Sequence, residues 1–377
     1  MEYKALKDIA KITMGQSPDS SSYNEDGDGM PFFQGNADFG EIYPNERIWC
    51  NDPKKTAEPG DILISVRAPI GALNYAKDRC CIGRGLAAIT IDDEAERNYV
   101  FHLLKAKNSD LNNQGTGSTF KAIGKAVLEG VQVPQISREE QQKCMDMMDL
   151  LESIIRERRA QLSSLDELIK ARFVEMFGDP IENPMGWDTK PLLSIGKCKN
   201  GMNFHYDEEG VAINCLGVGD FKDNSIIFDT GSLPEITLNE MPSDDYLLKD
   251  DDIVFVRSNG NKALVGRSVA VYPGETPTTF SGFCIRYRIV EPVITVPYLL
   301  RVLKSESVRK KMAGRGANIQ NLNQQILGTV AAPIPPMLLQ EQFSNFMAQT
   351  DKSKVVIQKS LDETQLLFDS LMQKYFG

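Results

Sequence analysis

The stretch PGDILISVRAPIG occupies residues 59–71, and a similar stretch, KDDDIVFVRSNGN, occupies residues 249–261. Each contains at least one aspartate, then a short apolar run, then an arginine followed by small and polar residues. A short apolar run between turn-forming residues is typical of a buried β-strand. Each stretch therefore predicts a strand that delivers an arginine at its end, and the repetition indicates two copies of one unit.

Other short matches recur in the same order along both halves of the chain. Residues 99–101 (YVF) and 298–300 (YLL) lie 199 positions apart, whereas Arg67 and Arg257 lie 190 positions apart. The near-constant spacing predicts a repeat in which one loop differs in length between the copies.

Each copy has the same predicted order of elements. The sequence predicts strands at residues 61–66, 86–91, 253–256 and 283–289, and short helices at residues 98–107 and 296–303. A glycine- and asparagine-rich loop, a proline and a long helical segment then follow in both copies. The copies differ at the turn before the arginine-bearing strand, where the first has PGD (59–61) and the second has DDD (250–252).

This order of elements predicts the fold class α+β, with two mixed α/β domains in a tandem repeat and a pair of long helices that separate them. The predicted globular domains comprise residues 1–136 and 179–336. The predicted long helices comprise residues 137–178 and 337–377.

The long helical segments have the apolar spacing of coiled-coil helices. Ser137 and Glu140 have the spacing of a capping box at the start of the first helix. The predicted interface residues are Met148, Leu151, Ile155, Leu162, Leu165 and Ile169 in the first helix and Met347, Ile357, Leu361, Phe368 and Leu371 in the second. Because about 40 helical residues span about 60 Å, we expect the two seams to pair. The alternative, in which each helix folds onto its own domain, stays open.

The chain is acidic as a whole, but its acidic residues are unevenly distributed. The net charge is −10 and the isoelectric point is about 5.0, which by itself argues against a nucleic-acid partner. Windows with no acid or a single acid, each containing Arg or Lys, cover residues 62–91, 111–128, 253–274 and 307–340. These windows fall at matching places in the two copies. A surface with few carboxylates that carries Arg, Lys, Asn and Gln suits a phosphate backbone and the base edges beside it.

The sequence contains few signs of catalysis or metal binding. It has seven cysteines without a Cys-x-x-Cys pair, and two histidines, so reduced thiols are expected and a zinc site is not. The segment closest to a Walker loop, residues 117–125, lacks the glycine spacing and the Ser or Thr after the lysine. No apolar segment suits a signal peptide or a membrane helix, which predicts a cytoplasmic protein.

Several phrases resemble those of the specificity subunits of type I restriction–modification enzymes. They are GQSP at residues 15–18, FQGN at 33–36, GDILISVR at 60–67, CIGRG at 81–85 and FVRSNGN at 255–261. The order of two globular domains, each followed by a long helix, is similar to that family over essentially the whole chain. The resemblance implies that each domain is a target-recognition domain for one half of a split DNA site. It also implies that the helices pair as an antiparallel coiled coil that spaces the half-sites.

The resemblance further implies partners and cofactors. Two methyltransferase subunits are expected to dock on the helices, and restriction subunits are expected to join them. S-adenosylmethionine, ATP and Mg²⁺ then belong to those partner subunits, and this chain is a non-catalytic DNA-binding subunit without a cofactor of its own. Two alternatives stay open: a coiled-coil protein-interaction scaffold whose domains do not bind DNA, and an enzyme whose catalytic residues the sequence does not reveal.

The candidate DNA contacts are polar and basic residues of the acid-poor windows and of the family-like phrases. They are Gln16, Gln34, Arg67, Arg84, Ser118 and Lys121 in the first domain and Arg257, Asn259, Asn261, Arg267, Arg315, Asn318 and Gln320 in the second. Arg suits guanine edges, and Asn or Gln suits adenine edges, in the major groove. The target sequence itself does not follow from these residue types.

Overall fold

The computed structural model describes residues 2–117, 121–204, 210–221, 225–313 and 321–377. The chain divides into unit 1, residues 1–160 and 358–377, and unit 2, residues 161–357. Both long helices therefore contribute residues to both units. Across the described residues, no helix combines the length and the apolar character needed to span a bilayer.

Unit 1 combines short strands with short helices. The strands are β1 (Glu2–Ala5), β2 (Lys11–Met14), β3 (Tyr23–Asn24), β4 (Met30–Phe33), β5 (Trp49–Cys50), β6 (Thr56–Ala57), β7 (Ile62–Ser65), β8 (Leu73–Tyr75), β9 (Cys80–Ile82), β10 (Leu86–Thr90) and β11 (Gln132–Gln135). The helices are α1 (Glu94–Ala106), α2 (Asn108–Asn113), α3 (Lys125–Glu129) and the first long helix, α4 (Arg138–Phe177), which begins in this unit. The sheets have the strand orders β2-β10-β7-β8, β3-β5-β4-β9-β6 and β1-β11.

Unit 2 has a similar set of elements. The strands are β12 (Thr189–Pro191), β13 (Gly196–Asn200), β14 (Val211–Leu216), β15 (Ile226–Ile227), β16 (Glu235–Leu238), β17 (Asp252–Val256), β18 (Ser268–Val271), β19 (Thr278–Phe280), β20 (Cys284–Ile289) and β21 (Ala331–Pro333). The helices are α5 (Leu192–Ile195), α6 (Val296–Lys304), α7 (Glu306–Ala313), α8 (Gln324–Gly328) and the second long helix, α9 (Met337–Phe376). The sheets have the strand orders β13-β20-β17-β18-β15, β16-β14-β19 and β12-β21.

The repeat of sequence phrases corresponds to a repeat of strand pairings. In unit 1, the buried strand β7 lies between β10 and β8, and β10 also pairs with β2, all antiparallel. In unit 2, the buried strand β17 lies between β20 and β18, and β20 also pairs with β13, again all antiparallel. A parallel pair is present in both units, β4 with β9 and β14 with β19. The predicted strands and short helices of both copies are confirmed, with end points that differ by at most four residues.

The aspartates at the start of the two central strands occupy equivalent places. The Asp61 carboxylate accepts a hydrogen bond from the backbone N–H of Glu58 at 2.9 Å, and the Asp252 carboxylate accepts one from the backbone N–H of Lys249 at 2.8 Å. Each aspartate also donates its own N–H to the carbonyl of that same residue. The two strands therefore correspond with a spacing of 191 positions.

This register corrects the predicted alignment of the two arginines. The N–H of Ile123 donates to the Val66 carbonyl at 2.9 Å, and the N–H of Leu322 donates to the Arg257 carbonyl at 2.8 Å. Arg257 thus occupies the place of Val66, and its predicted equivalence with Arg67 is wrong by one residue. Because successive side chains of an extended segment point to opposite sides, the two arginines differ in environment: Arg67 is exposed and Arg257 is half-buried.

The turn before the central strand has the same backbone in both units, although its sequence differs. Gly60 has a φ of 87°, and Asp251, at the equivalent place, has a φ of 70°. Both values lie in the left-handed region, which glycine adopts freely and which Asp and Asn tolerate better than other residues. The difference between PGD and DDD therefore leaves this turn unchanged.

We expect Gly60→Ala to destabilise the protein by about 1–2 kcal/mol, because an alanine Cβ is strained in the left-handed region. Gly60→Asn is expected to cost less, since Asn tolerates that conformation. Gly260→Ala is the control, because the Gly260 backbone lies outside the left-handed region and no atom lies within 4 Å of an added Cβ. Urea unfolding of the three variants measures the differences, and equal stabilities for Gly60→Ala and Gly260→Ala would contradict the strain argument.

The two long helices match their predicted bounds to within one residue. The capping box is confirmed, because the N–H of Ser137 donates to the Glu140 carboxylate at 3.0 Å and the N–H of Glu140 donates to the Ser137 hydroxyl at 3.3 Å. Of the predicted seam, Met148, Leu151, Ile155, Ile169, Leu361 and Phe368 are buried and Leu162, Leu165, Met347, Ile357 and Leu371 are half-buried. The apolar spacing thus identified the covered face of both helices.

We expect Leu361→Asp to lower the free energy of unfolding by at least about 3 kcal/mol, because it removes a buried apolar side chain and buries a carboxylate. Leu361 is 8% exposed, whereas Leu366, on the same helix and in the same unit, is 70% exposed. Leu366→Asp is the matched control, since it carries the same helix-propensity cost of about 0.5 kcal/mol without the burial. Chemical denaturation of both variants measures the difference. Similar losses of unfolding free energy in the two variants would mean that burial of Leu361 does not stabilise the protein.

Candidate nucleic-acid interface

Five segments of unit 1 meet where the central strand β7 ends. We call them the loop edge of unit 1: residues 15–17, 34–35, 66–68, 83–85 and 121–123. Backbone hydrogen bonds join them: Gln16 N–H to Ile82 carbonyl at 3.0 Å, Gly83 N–H to Phe33 carbonyl at 2.8 Å, Val66 N–H to Gly85 carbonyl at 2.9 Å and Ala68 N–H to Lys121 carbonyl at 3.1 Å. Arg84 N–H also donates to the Ser17 hydroxyl at 3.3 Å. Segments distant in sequence are thereby held at one edge by main-chain contacts.

The loop edge of unit 1 brings together the described candidate residues of the first domain. Gln16, Gln34, Arg67, Arg84 and Lys121 all lie on it, and all are exposed. Within the described part of the chain, its three cationic side chains form no ion pair with a carboxylate. Free guanidinium and ammonium groups beside two free amides give this edge donors for phosphate oxygens and for base edges.

The equivalent segments of unit 2 also meet where their central strand, β17, ends. We call them the loop edge of unit 2: residues 201–203, 217, 257–258, 281–283 and 321–322. Arg257 anchors this edge, because its N–H donates to the Phe283 carbonyl at 2.7 Å and its Nη1 donates to the Gly282 carbonyl at 3.3 Å. Arg257 therefore uses one guanidinium donor on the neighbouring loop between β19 and β20, and its remaining donors are available to a ligand.

The other described candidates of unit 2 lie on the loop between β17 and β18. The Asn259 side-chain oxygen accepts the N–H of Asn261 at 2.8 Å, and the Asn261 side-chain oxygen accepts the N–H of Ala263 at 3.1 Å. Each asparagine thus helps to shape the loop and keeps its amide NH₂ as a donor. Arg267 is exposed at the far end of this loop, where its carbonyl accepts the N–H of Val256 at 2.9 Å. Ser118, Arg315, Asn318 and Gln320 lie outside the described residues.

The buried carboxylates of each unit lie at the opposite end of the central strand from the loop edge. Asp252 has no exposed surface, and its two oxygens accept hydrogen bonds from Nε and Nη2 of Arg288, both at 2.7 Å. In unit 1, burial raises the pKa of Asp61, although hydrogen bonds from the Glu58 backbone and the Thr90 hydroxyl lower it. These acids are compensated within their own unit, so they do not neutralise the cations of the loop edge.

The cysteines are mostly buried and unpaired. All seven are free, and six are buried. Burial raises the pKa of the Cys80 thiol to about 12 and that of the Cys144 thiol to about 11. Thiols with such a high pKa carry little thiolate at neutral pH and are poor nucleophiles. The seven unpaired cysteines agree with the expectation of thiols rather than disulfides.

Sequence reasoning did not identify Phe283. The strand pairings of the two units make Phe283 equivalent to Gly85, and its side chain is exposed on the loop edge of unit 2. An aromatic residue at the place of a glycine was a signal in the sequence. It became readable only once the register of β20 fixed which residues correspond.

Three comparisons relate the chain to known proteins. A family model described as the type I restriction modification DNA specificity domain matches residues 1–164. The putative type I restriction enzyme MjaX specificity subunit of Methanocaldococcus jannaschii is 43% identical over 161 residues, which cover 42% of this chain and 38% of that protein. The MjaIX specificity subunit of the same organism is 24% identical over 406 residues, which cover 99% of this chain and 92% of that protein.

A solved structure extends the likeness of fold to the whole chain. The S subunit of a type I restriction–modification system from M. genitalium is 16% identical, with a TM-score of 0.59. The match covers 100% of this chain and 96% of that chain. At this identity the likeness concerns the fold, and it agrees with the mixed α+β architecture described above.

We expect Arg67→Ala and Lys121→Ala each to weaken binding of duplex DNA by the protein assembled with its partners. A residue that contacts phosphate contributes about 0.9 to the slope of log affinity against log salt, so each variant is expected to reduce that slope by about one. Arg79→Ala is the matched control, because Arg79 is also exposed but pairs with Glu58 at 3.1 Å, at the opposite end of β7. Salt titrations of binding separate the outcomes, and unchanged affinity in both test variants would place this edge away from DNA.

Proposed function

Because the chain belongs to the family of type I restriction–modification specificity subunits, we propose that its two units read the two halves of a bipartite DNA target. The observation that carries this proposal is the repeated strand pairing. It places a loop edge at the end of the central strand in each unit. Two equivalent edges in one chain suit two DNA half-sites.

The side chains on the two loop edges support half-sites of different sequence. Unit 1 presents Gln16, Gln34 and Arg84 as exposed polar groups. Unit 2 presents Phe283 and the partly engaged Arg257 at the corresponding edge. Amide and guanidinium groups pair with adenine and guanine edges respectively, whereas an aromatic ring makes apolar contacts.

The long helices are proposed to pair as an antiparallel coiled coil that sets the distance between the half-sites. In unit 2, the ring of Phe173, late in α4, lies 5.5 Å from that of Phe343, early in α9. In unit 1, Lys105 of α1 donates to Glu152 of α4 at 2.5 Å and lies 5.7 Å from the ring centre of Phe368 of α9. Contacts between opposite ends of the two helices support the antiparallel direction.

The outward face of α9 is proposed to contribute to docking of methyltransferase subunits. Val355 and Val356 are exposed on its part in unit 2, and Leu366 and Leu367 on its part in unit 1. Exposed apolar side chains that lie close together are typical of a protein-binding surface. The assembly is expected to contain two methyltransferase subunits and restriction subunits. S-adenosylmethionine, ATP and Mg²⁺ are expected to belong to those partners, and the present chain is proposed to be non-catalytic and to act in the cytoplasm.

We expect exchange of residues 179–336 for the corresponding domain of a relative to change one half of the methylated sequence and to leave the other half and the spacing unchanged. The reason is that each unit carries its own sheet and its own loop edge. Methylome sequencing of cells that carry the hybrid with its methyltransferase measures the result. A hybrid that alters both half-sites would contradict independent reading.

An insertion variant of the native chain serves as the control for spacing. Adding one heptad to each long helix, after Ala160 and after Ile357, lengthens each helix by about 10 Å. This variant is expected to alter the spacing and to retain both half-sites. The scaffold alternative predicts a different result. The native complex would then bind all DNA sequences with equal affinity, and no complex would methylate a defined sequence. Methyl transfer by the isolated chain would instead identify it as an enzyme.

A further inference from the structure

Phe283 is an exposed aromatic residue on the loop edge of unit 2. It lies between β19 and β20, and 62% of its surface is exposed. An exposed phenylalanine ring forgoes the hydrophobic stabilisation that burial would provide. Its place on the loop edge, beside Arg257, makes this ring a candidate for contact with a ligand.

The backbone of Phe283 is held firmly although its ring is exposed. Its carbonyl accepts the N–H of Arg257 at 2.7 Å and that of Ser258 at 3.4 Å. Its own N–H donates to the Ser281 hydroxyl at 3.3 Å. The next residue, Cys284, is the first residue of β20 and is fully buried. Its N–H donates to the Ser281 carbonyl at 2.8 Å. The ring thus projects from a rigid element, which is what accurate recognition requires.

Unit 1 has no space for such a ring at the equivalent place. Gly85 stands there, and a Cβ added to it would lie 2.2 Å from the Gln34 carbonyl oxygen. In unit 2, Gly217 corresponds to Gln34. The residue before Gln34, Phe33, accepts the N–H of the first residue after β9, and the residue before Gly217, Leu216, accepts the N–H of the first residue after β19. At these two adjoining positions, unit 1 therefore has Gln34 and a glycine, whereas unit 2 has a glycine and Phe283.

We propose that Phe283 is a specificity-determining residue of unit 2 that contacts the methyl group of a thymine in its half-site. The proposal rests on the proposed function of this edge in DNA reading. A phenyl ring offers no hydrogen bond, and the thymine methyl is the apolar group that base pairs present in the major groove. Arg257, whose main chain is bonded to that of Phe283, supplies the neighbouring cation for a phosphate or a guanine.

The test uses the complex with its methyltransferase subunits and the duplex target established by methylome sequencing. Each thymine of the half-site read by unit 2 is replaced in turn by deoxyuridine, which removes the methyl group and keeps the base pair. We expect one replacement to weaken binding by wild type about fourfold, the effect of burying one methyl group. Phe283→Ala is expected to weaken binding to the native target on the order of tenfold and to lose the response to that deoxyuridine.

Further variants keep the test independent of folding and of assembly. Phe228→Ala is the matched control, because Phe228 is 71% exposed and stacks on Tyr272 at 5.2 Å, at the other end of β17. It is expected to bind like wild type. Phe283→Leu is expected to retain part of the affinity, since it keeps an apolar side chain. Phe283→Ala is also expected to unfold at the wild-type temperature and to leave the salt slope of binding unchanged, because the ring neutralises no phosphate.

The opposing results are distinct. The proposal would be overturned if Phe283→Ala weakened binding to the target and to unrelated DNA equally. It would also be overturned if wild type and Phe283→Ala responded alike to every deoxyuridine substitution. Loss of methyltransferase subunits from the Phe283→Ala complex would also overturn it and would make the ring a protein contact. Failure of the wild-type complex to prefer its target would instead count against the proposed function of the whole edge.

Discussion

The register of the central strand in each unit is the constraint on which the candidate interface depends. β7 and β17 are buried along their length and pair on both sides, so a shift of either by one residue would exchange the side chains of its two faces and change all its packing contacts. That register determines which residues follow the strand at the loop edge. A difference of one position explains why Arg67 is free in solvent while Arg257 is half-buried and bonded to a carbonyl.

The same strands reconcile an acidic protein with a cationic edge. A buried carboxylate at the start of a strand is costly unless it is hydrogen-bonded or paired. Asp252 meets this requirement through two bonds from Arg288, and Asp61 through backbone and hydroxyl donors. At the far end of each strand, Arg67, Arg84 and Lys121 in unit 1 and Arg257 in unit 2 form no ion pair with a carboxylate of the described residues. A net charge of −10 is therefore compatible with binding of a polyanion, because only the local field at the contact matters.

The long helices and the loop edges carry different kinds of information. Within each unit, the long helices bury an apolar face whose spacing is regular along the sequence. The loop edges hold short segments from five parts of each unit by main-chain bonds, so their side chains are free to vary without altering the fold. Side chains on a loop edge can therefore change while the main-chain bonds that shape the edge are kept.

The sequence by itself determined the repeat, the strands around Leu63 and Val254, the capping box at Ser137 and the covered face of both long helices. These features are local, because periodicity, apolar runs and capping residues act within a few positions of one another. It also identified Arg67 and Lys121 as candidates, but not their proximity. Only the tertiary structure decided that proximity, the equivalence of Val66 with Arg257 and the exposure of Phe283. Each of these depends on hydrogen bonds between segments far apart in the chain, and a one-residue difference in register, invisible in a sequence match, changes which side chain reaches the edge.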